Sequence, residues 1–226
     1  MSHCYASKRR DLSTFKRKTV CKFPASKGDV SPILTEGVLE ADYCYHLEAD
    51  PAVLKYECQP LGYYYYLDKE LRSYNPLDKE QHLYTPDFKI WLDNGDIVYY
   101  EIKGRRYIDK EFEGIFFPAV QKQAEFLGSS LTLVTEEFIY SEPLFTNLKR
   151  MRKAKMLRDV PIDVSNQLVE ILKIAERMSP LELFSHSDHE YDLGILYKLI
   201  GEGIINTDIE ANYFGPEMSV WVDNHD

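Results

Sequence analysis

An α/β fold, with a mixed sheet flanked by helices and a small second domain after it, is what this sequence predicts. Three observations carry the prediction. Two alternating strands meet at a tight turn within residues 84–106, YTPDFKIWLDNGDIVYYEIKGRR. A helical stretch and a further strand follow within about thirty residues, the spacing of a strand–helix–strand crossover. Beyond Pro161 the pattern changes to short helices followed by short strands.

At 226 residues the chain is long enough for one substantial domain and a small one. An apolar content of 44% and no apolar run near eighteen residues point to a soluble globular protein. The N-terminus, MSHCYASKRRDLSTFKRK, lacks the apolar stretch of a secretory signal. The four cysteines, Cys4, Cys21, Cys44 and Cys58, show no C-x-x-C spacing, which fits reduced thiols in a cytoplasm better than a zinc site. The net charge of −10 is unevenly spread: +6 over residues 1–30, −9 over 31–101, +4 over 102–158 and −11 over 159–226. A polyanion suits the first and third segments, and the last repels one.

Taken in order, residues 1–30 form a basic arm with little periodicity, suited either to wrapping a phosphate backbone or to serving as a solubilising tail. Thr35 is the expected N-cap of a helix running to about Glu48, with Glu36, Glu40 and Leu47 on one side. Ala49-Asp50-Pro51 ends it. Val53–Leu67 reads as extended chain, and its run Tyr63-Tyr64-Tyr65-Tyr66 either stacks on bases or fills both faces of a strand. Residues 68–83 are polar and turn-rich, a loop leading into the hairpin.

In the hairpin, Phe88, Ile90 and Leu92 alternate on the first strand and Val98, Tyr100 and Ile102 on the second. Asp93-Asn94-Gly95-Asp96 between them supplies the residues a hairpin turn needs. Side chains two apart share a face, so Asp87, Glu101 and Lys103 fall on the opposite, polar face. Residues 107–114 read as loop or short helix, Phe116–Phe126 as a helix with Pro118 in its first turn, and Ser130–Thr135 as a strand. Leu144–Arg158 is a basic helix placed as a linker over 141–160, whose Lys149, Arg150, Arg152 and Lys153 can meet phosphates. Three helices follow, Asp163–Met178, one starting at Ser179-Pro180, and Asp188–Glu202. Strand regions at Ile204–Tyr213 and Met218–Val222 complete a winged-helix-like domain over 161–226. DNA binding is the usual expectation for that shape, but the local charge favours a protein partner.

Two carboxylates and an ammonium on one hairpin suit phosphodiester hydrolysis. Hard oxygen ligands hold Mg²⁺ or Mn²⁺ loosely and leave positions for water and a phosphate oxygen. Such an ion polarises the phosphate and lowers the pKa of bound water, and a lysine beside that water orients it. Asp, about a dozen residues, then Glu-x-Lys is the PD-(D/E)xK nuclease pattern, present here as Pro86-Asp87 and Glu101-Ile102-Lys103.

Together with Glu40 on the preceding helix and Gln59 in Glu57-Cys58-Gln59-Pro60-Leu61, these marks make the chain resemble the TnsA endonucleases of heteromeric, Tn-seven-like transposons. The resemblance implies a restriction-endonuclease-like core over 31–140 and catalytic positions at Glu40, Asp87, Glu101 and Lys103. Glu40, Asp87 and Glu101 would be the ligands of Mg²⁺ or Mn²⁺, with two ions favoured by the third carboxylate. A glutamine can stand at position 101 in such proteins. Glu36, one turn before Glu40, remains an alternative ligand. The reaction implied is cleavage at the 5′ ends of a transposon in double-stranded DNA, alongside a DDE transposase that cuts the 3′ ends. An AAA+ regulator ATPase would dock on the acidic C-terminal domain. DNA contacts are expected from Lys8, Arg9, Arg10, Lys16, Arg17 and Lys18 in the arm, Arg105 and Arg106 after the hairpin, and the basic helix. The competing readings are a stand-alone PD-(D/E)xK nuclease of restriction or repair and a non-catalytic transposition adaptor.

Overall fold

The computed structural model describes residues 19–68, 71, 75, 77–157 and 159–223. The chain divides into two compact units, the first ending at Ile139 and the second beginning at Tyr140. The basic residues expected to bind DNA between Lys8 and Lys18 lie outside the described residues.

The first unit runs β1 (Cys21–Phe23), β2 (Ile33–Thr35), α1 (Val38–Ala49), β3 (Val53–Cys58), β4 (Tyr63–Tyr66), β5 (Gln81–Tyr84), β6 (Phe88–Leu92), β7 (Ile97–Ile102), α2 (Phe117–Phe126), β8 (Ser130–Val134) and α3 (Glu136–Ile139). Its central sheet has the order β3-β6-β7-β8. β3, β6 and β7 pair antiparallel and β7 pairs parallel with β8, so the sheet is mixed and α2 spans the crossover. Gly95, at φ +88°, makes the β6–β7 turn possible where a side chain would be strained.

Helices cover both faces of this sheet. On one, Tyr43 of α1 packs edge-on to Phe88 at 5.5 Å and lies 5.6 Å from Tyr100, while Cys44 and Leu47 are buried beside it. On the other, Tyr99 and Leu131 pack under α2 with Tyr63, Tyr84, Val120 and Ala124. Each large apolar side chain buried this way contributes about 1.5–3 kcal/mol. The expected alternation of Phe88, Ile90 and Ile102 toward a core is observed. The opposite face, expected to be polar, is not solvated throughout, because Tyr99 offers α2 an apolar ring on the same parity as Glu101.

Other boundaries differ from expectation for identifiable reasons. Thr35 does not cap α1: it is the buried end of β2, held by pairing with Cys21, and Gly37 stands at the N-cap without a side-chain bond. Residues 81–83, expected as loop, form a strand with Tyr84, because they pair with β4 along the whole tyrosine run. Tyr63, Tyr65 and Tyr66 are buried, so these rings fill the core and are not stacking surfaces. The last ten residues of the basic arm belong to the first unit. Glu48, buried on α1, accepts hydrogen bonds from Ser26 N at 2.8 Å, Lys27 N at 3.1 Å, Tyr56 Oη at 3.0 Å and the Ser26 hydroxyl. A buried carboxylate is tolerated only when its lone pairs are met in this manner. This one staples the segment around Ser26 and the carboxyl end of α1 to β3.

The second unit comprises α4 (Leu144–Leu157), α5 (Ile162–Ala175), β9 (Arg177–Met178), α6 (Pro180–Ser185), α7 (Leu193–Gly201), β10 (Asn206–Thr207) and β11 (Val220–Trp221), with an antiparallel sheet ordered β10-β11-β9. α6 starts in a capping box: Ser179 Oγ accepts from Glu182 N while Ser179 N donates to Glu182 Oε2 at 2.9 Å. The other helices are shorter than expected. α5 stops at Ala175, where Glu176 turns at φ 65° into β9, and α7 begins only after its N-cap Asp192. The strand regions expected at 204–213 and 218–222 shrink to two residues each. α4, expected as a linker, is an integral part of this unit. Phe145, Leu148, Met151 and Ala154 form its buried side, and Asn147 Nδ2 donates to the carbonyls of Ile209 and Asn212 at 2.9 and 2.7 Å.

Candidate active site

The hairpin ends at a group of carboxylates. Asp87 stands immediately before β6, its backbone N–H bonded to Tyr100 O at 3.1 Å and its carbonyl accepting from Gln59 N at 2.8 Å. Both carboxylate oxygens are engaged: Oδ1 accepts from Gln59 Nε2 at 3.0 Å and Oδ2 from Ile102 N at 2.7 Å. Gln59 is buried and sits at φ 46°, a left-handed conformation costly for a side-chain-bearing residue, so the fold sustains local strain to aim this amide.

Glu101 lies across the β6–β7 ladder from the Asp87 end of β6, and its Oε2 accepts the hydroxyl of buried Tyr84 at 2.7 Å. Gly62 permits that tyrosine's backbone to come close, since a Cβ there would lie 2.4 Å from Tyr84 O. Burial pushes the Asp87 carboxyl well above the usual range, and repulsion from Glu101 and then Glu40 adds to it; the bonds from Ile102 and Gln59 oppose the rise. Burial likewise raises Glu101, against the pull of the Tyr84 hydroxyl and of the Lys103 ammonium. Cys58, the residue before Gln59, is raised by burial, by the neighbouring Cys44 thiol, and by Glu40 and Asp87.

Of the sequence-predicted residues, Asp87 feels the charges of Glu101 and Glu40, and Glu101 that of Lys103. Lys103 continues β7 through its N–H to Val134 O at 2.9 Å, with its ammonium 4.4 Å from the Phe112 ring. Glu40 turns Oε2 back onto Glu36 N at 2.9 Å, so it occupies the amino end of α1. Glu40 is one of the charges acting on Asp87, and Glu36 and Glu40 both line the cleft beside it.

A cleft of about 780 Å³ opens between the amino end of α1 and the segment after β7, lined in part by Glu36, Glu40, Lys103, Arg106 and Tyr107. The Arg106 guanidinium lies 4.6 Å over the exposed Tyr107 ring. Arg105 is directed elsewhere: its backbone N–H bonds Glu136 Oε2 at 2.7 Å and its side chain lies 3.9 Å from Glu137. On α4, Lys149, Arg150 and Lys153 are exposed and Arg152 is half-buried; Arg150 Nη1 bonds Phe214 O at 3.0 Å and Lys149 lies over Phe145.

The donor chemistry, carboxylate oxygens under mutual repulsion, fits a hard divalent cation. Among the described residues, no three His, Cys, Asp or Glu side chains are gathered into a ready ligand set. Tyr84 opens the stretch read as a hairpin but was given no role there; its position two residues before Pro86 and its pairing with Tyr63 were the available signals. No protein-family model matches the chain, and no curated protein sequence matches it.

Proposed function

We propose that this chain is a divalent-metal-dependent DNA endonuclease of the TnsA type, with a restriction-endonuclease-like first unit, acting within a cut-and-paste transposition assembly. The observation that carries the reading is the clamped Asp87 carboxylate, held by Gln59 and Ile102 within the field of Glu101 and Glu40, beside a cleft that Glu40 and Lys103 line. Glu40, Asp87 and Glu101 would hold Mg²⁺ or Mn²⁺, which supplies Lewis-acid polarisation of a phosphate and a more acidic water. The chain's own residues do the positioning. Gln59 and Ile102 fix both oxygens of Asp87, Tyr84 fixes one oxygen of Glu101, and Lys103 offers positive charge beside Glu101 to orient water and balance a phosphate. Arg106, on its Tyr107 support, contacts the nucleic-acid backbone at the cleft.

In the second unit, the order from α5 onward, helix, strand, two helices, two strands, with β11 central in the sheet, supports a winged-helix reading. The helix that enters a DNA groove in DNA-binding copies corresponds to α7. Here α7 packs against α4: a Cβ at Gly201 would lie 3.5 Å from Met151, and Lys198 Nζ donates to Lys155 O at 3.1 Å. That burial, with the −11 balance of residues 159–226, favours a protein partner, the AAA+ ATPase, over DNA for this face. The other partners are a DDE transposase and the double-stranded transposon ends.

The test is a cleavage reaction on duplex transposon ends in the presence of a partner DDE transposase. Asp87→Ala should abolish cutting at the 5′ ends and leave the transposase's 3′ cuts. Unchanged 5′ cutting contradicts the reading, and cutting of arbitrary DNA by the chain alone would favour a stand-alone nuclease.

A further inference from the structure

The sheet face that carries Asp87 holds a second group of residues that the site does not use. Phe88 and Ile90 are buried in the opposite direction, so Asp87, Lys89 and Trp91 share one face of β6. Lys55 on β3 stands in register with Trp91. Its ammonium lies 5.0 Å from the Trp91 ring centroid, and that of Lys89 lies 4.6 Å from it. Lys55 is exposed, and Lys89 and Trp91 are half-buried. Neither lysine forms an ion pair among the described residues, although Glu57 sits opposite Lys89 in the ladder. One indole thus gathers two like charges on an accessible edge of the sheet. That arrangement leaves positive charge uncompensated within a stretch of chain whose net balance is −9.

We propose that Lys55, Lys89 and Trp91 form a phosphate-contact site for the nucleic-acid strand whose reacting phosphate lies at Asp87. The inference rests on the endonuclease reading and adds the direction in which the substrate runs. Trp91 stands four residues after Asp87 along the strand, about 14 Å at ~3.4 Å per residue. Duplex DNA rises about 3.4 Å per nucleotide of each strand, so the lysines meet the backbone roughly four nucleotides from the cut. The indole holds the two ammonium groups at a shared position, which lowers the ordering cost of gripping a phosphodiester.

The chain contains two tryptophans, so Trp221→Phe leaves Trp91 as the sole indole reporter. In the full-length protein carrying that change, a fluorescein-labelled duplex should alter Trp91 emission as anisotropy reports binding. Lys55→Ala with Lys89→Ala should weaken binding about tenfold at low salt and reduce the slope of log affinity against log salt by about 2, since each phosphate contact contributes about 0.9. Lys55→Arg with Lys89→Arg, which keeps the charge, should restore the slope and controls for misfolding. An unchanged slope in the alanine pair, or Trp91 emission indifferent to bound duplex, overturns the proposal. The protein with Asp87 intact separates the two readings. With the transposase present, a Trp91 response without metal-dependent cleavage defeats the endonuclease reading alone, and cleavage without that response defeats this inference alone. Asp87→Ala should lose cleavage and keep the response.

Discussion

Tyr84 and Glu101 form a hydrogen-bonded pair, with the buried phenol donating to Oε2 at 2.7 Å. The bond holds one oxygen of a carboxylate that burial raises above its ordinary range. Removing the hydroxyl withdraws a contribution that lowers the Glu101 pKa, so Tyr84→Phe raises it further. If Glu101 acts ionised, the acid limb of the pH–rate profile of cleavage moves to higher pH, with kcat falling more at mildly acid than at alkaline pH. A hydrogen bond to a charged group contributes about 1.5–3 kcal/mol, which bounds the loss in urea denaturation. An unmoved acid limb would show that the tyrosine only fills space.

Glu101→Gln tests the repulsion directly. Glu101 is the leading charge acting on Asp87, and a glutamine oxygen can still accept from Tyr84. The sign follows from proton linkage. Both carboxyls are raised on folding, so their stabilisation is complete below the ordinary carboxylate range of about 4 and is lost as pH rises through the raised values. Glu101→Gln removes one such group and lowers the other, so Tm should depend less on pH. At mildly alkaline pH we expect a Tm about 2–4 °C above wild type, corresponding to about 1 kcal/mol in a chain of this size. Equal pH slopes for variant and wild type would contradict the mutual repulsion.

Gln59 separates backbone strain from positioning. Its φ of 46° suits glycine, while its side chain holds Asp87 Oδ1 at 3.0 Å. Gln59→Ala keeps the strain and loses the bond. Gln59→Gly loses the bond but relieves the strain, and should be about 1 kcal/mol more stable than the alanine variant. Both should lose kcat to a similar extent with little change in KM, because Asp87 is no longer held. Recovery of full activity in Gln59→Gly would assign the residue a purely structural role.

What sequence revealed, and what it hid, follows how local each cause is. The β6–β7 hairpin was legible because its signals lie within fifteen residues: alternation at Phe88 and Ile90, and a turn closed by Gly95. The crossover to β8 was legible for the same reason. Thr35 was misread as a cap because the pairing that claims it comes from Cys21, fourteen residues away. β5 was missed because Gln81–Tyr84 is polar and is made a strand by the tyrosines of β4. α4 was read from its charges, although Phe145, Leu148, Met151 and Ala154 recur at helical spacing and bury one side of it. The acidic residues of the site were identifiable by type and order. The partners that aim them, Ile102 N on Asp87 and Tyr84 on Glu101, depend on register and on distant strands.

The central claim, that Glu40, Asp87 and Glu101 together hold a divalent cation, is tested most directly by calorimetric titration of Mn²⁺ onto the full chain at about pH 7, with buffers of differing ionisation heat. Wild type should bind Mn²⁺ and release protons, because the raised carboxyls of Asp87 and Glu101 must ionise to ligate. Asp87→Ala, folded by circular dichroism, should lose both the binding heat and the proton release. Identical isotherms for the two proteins would contradict the account.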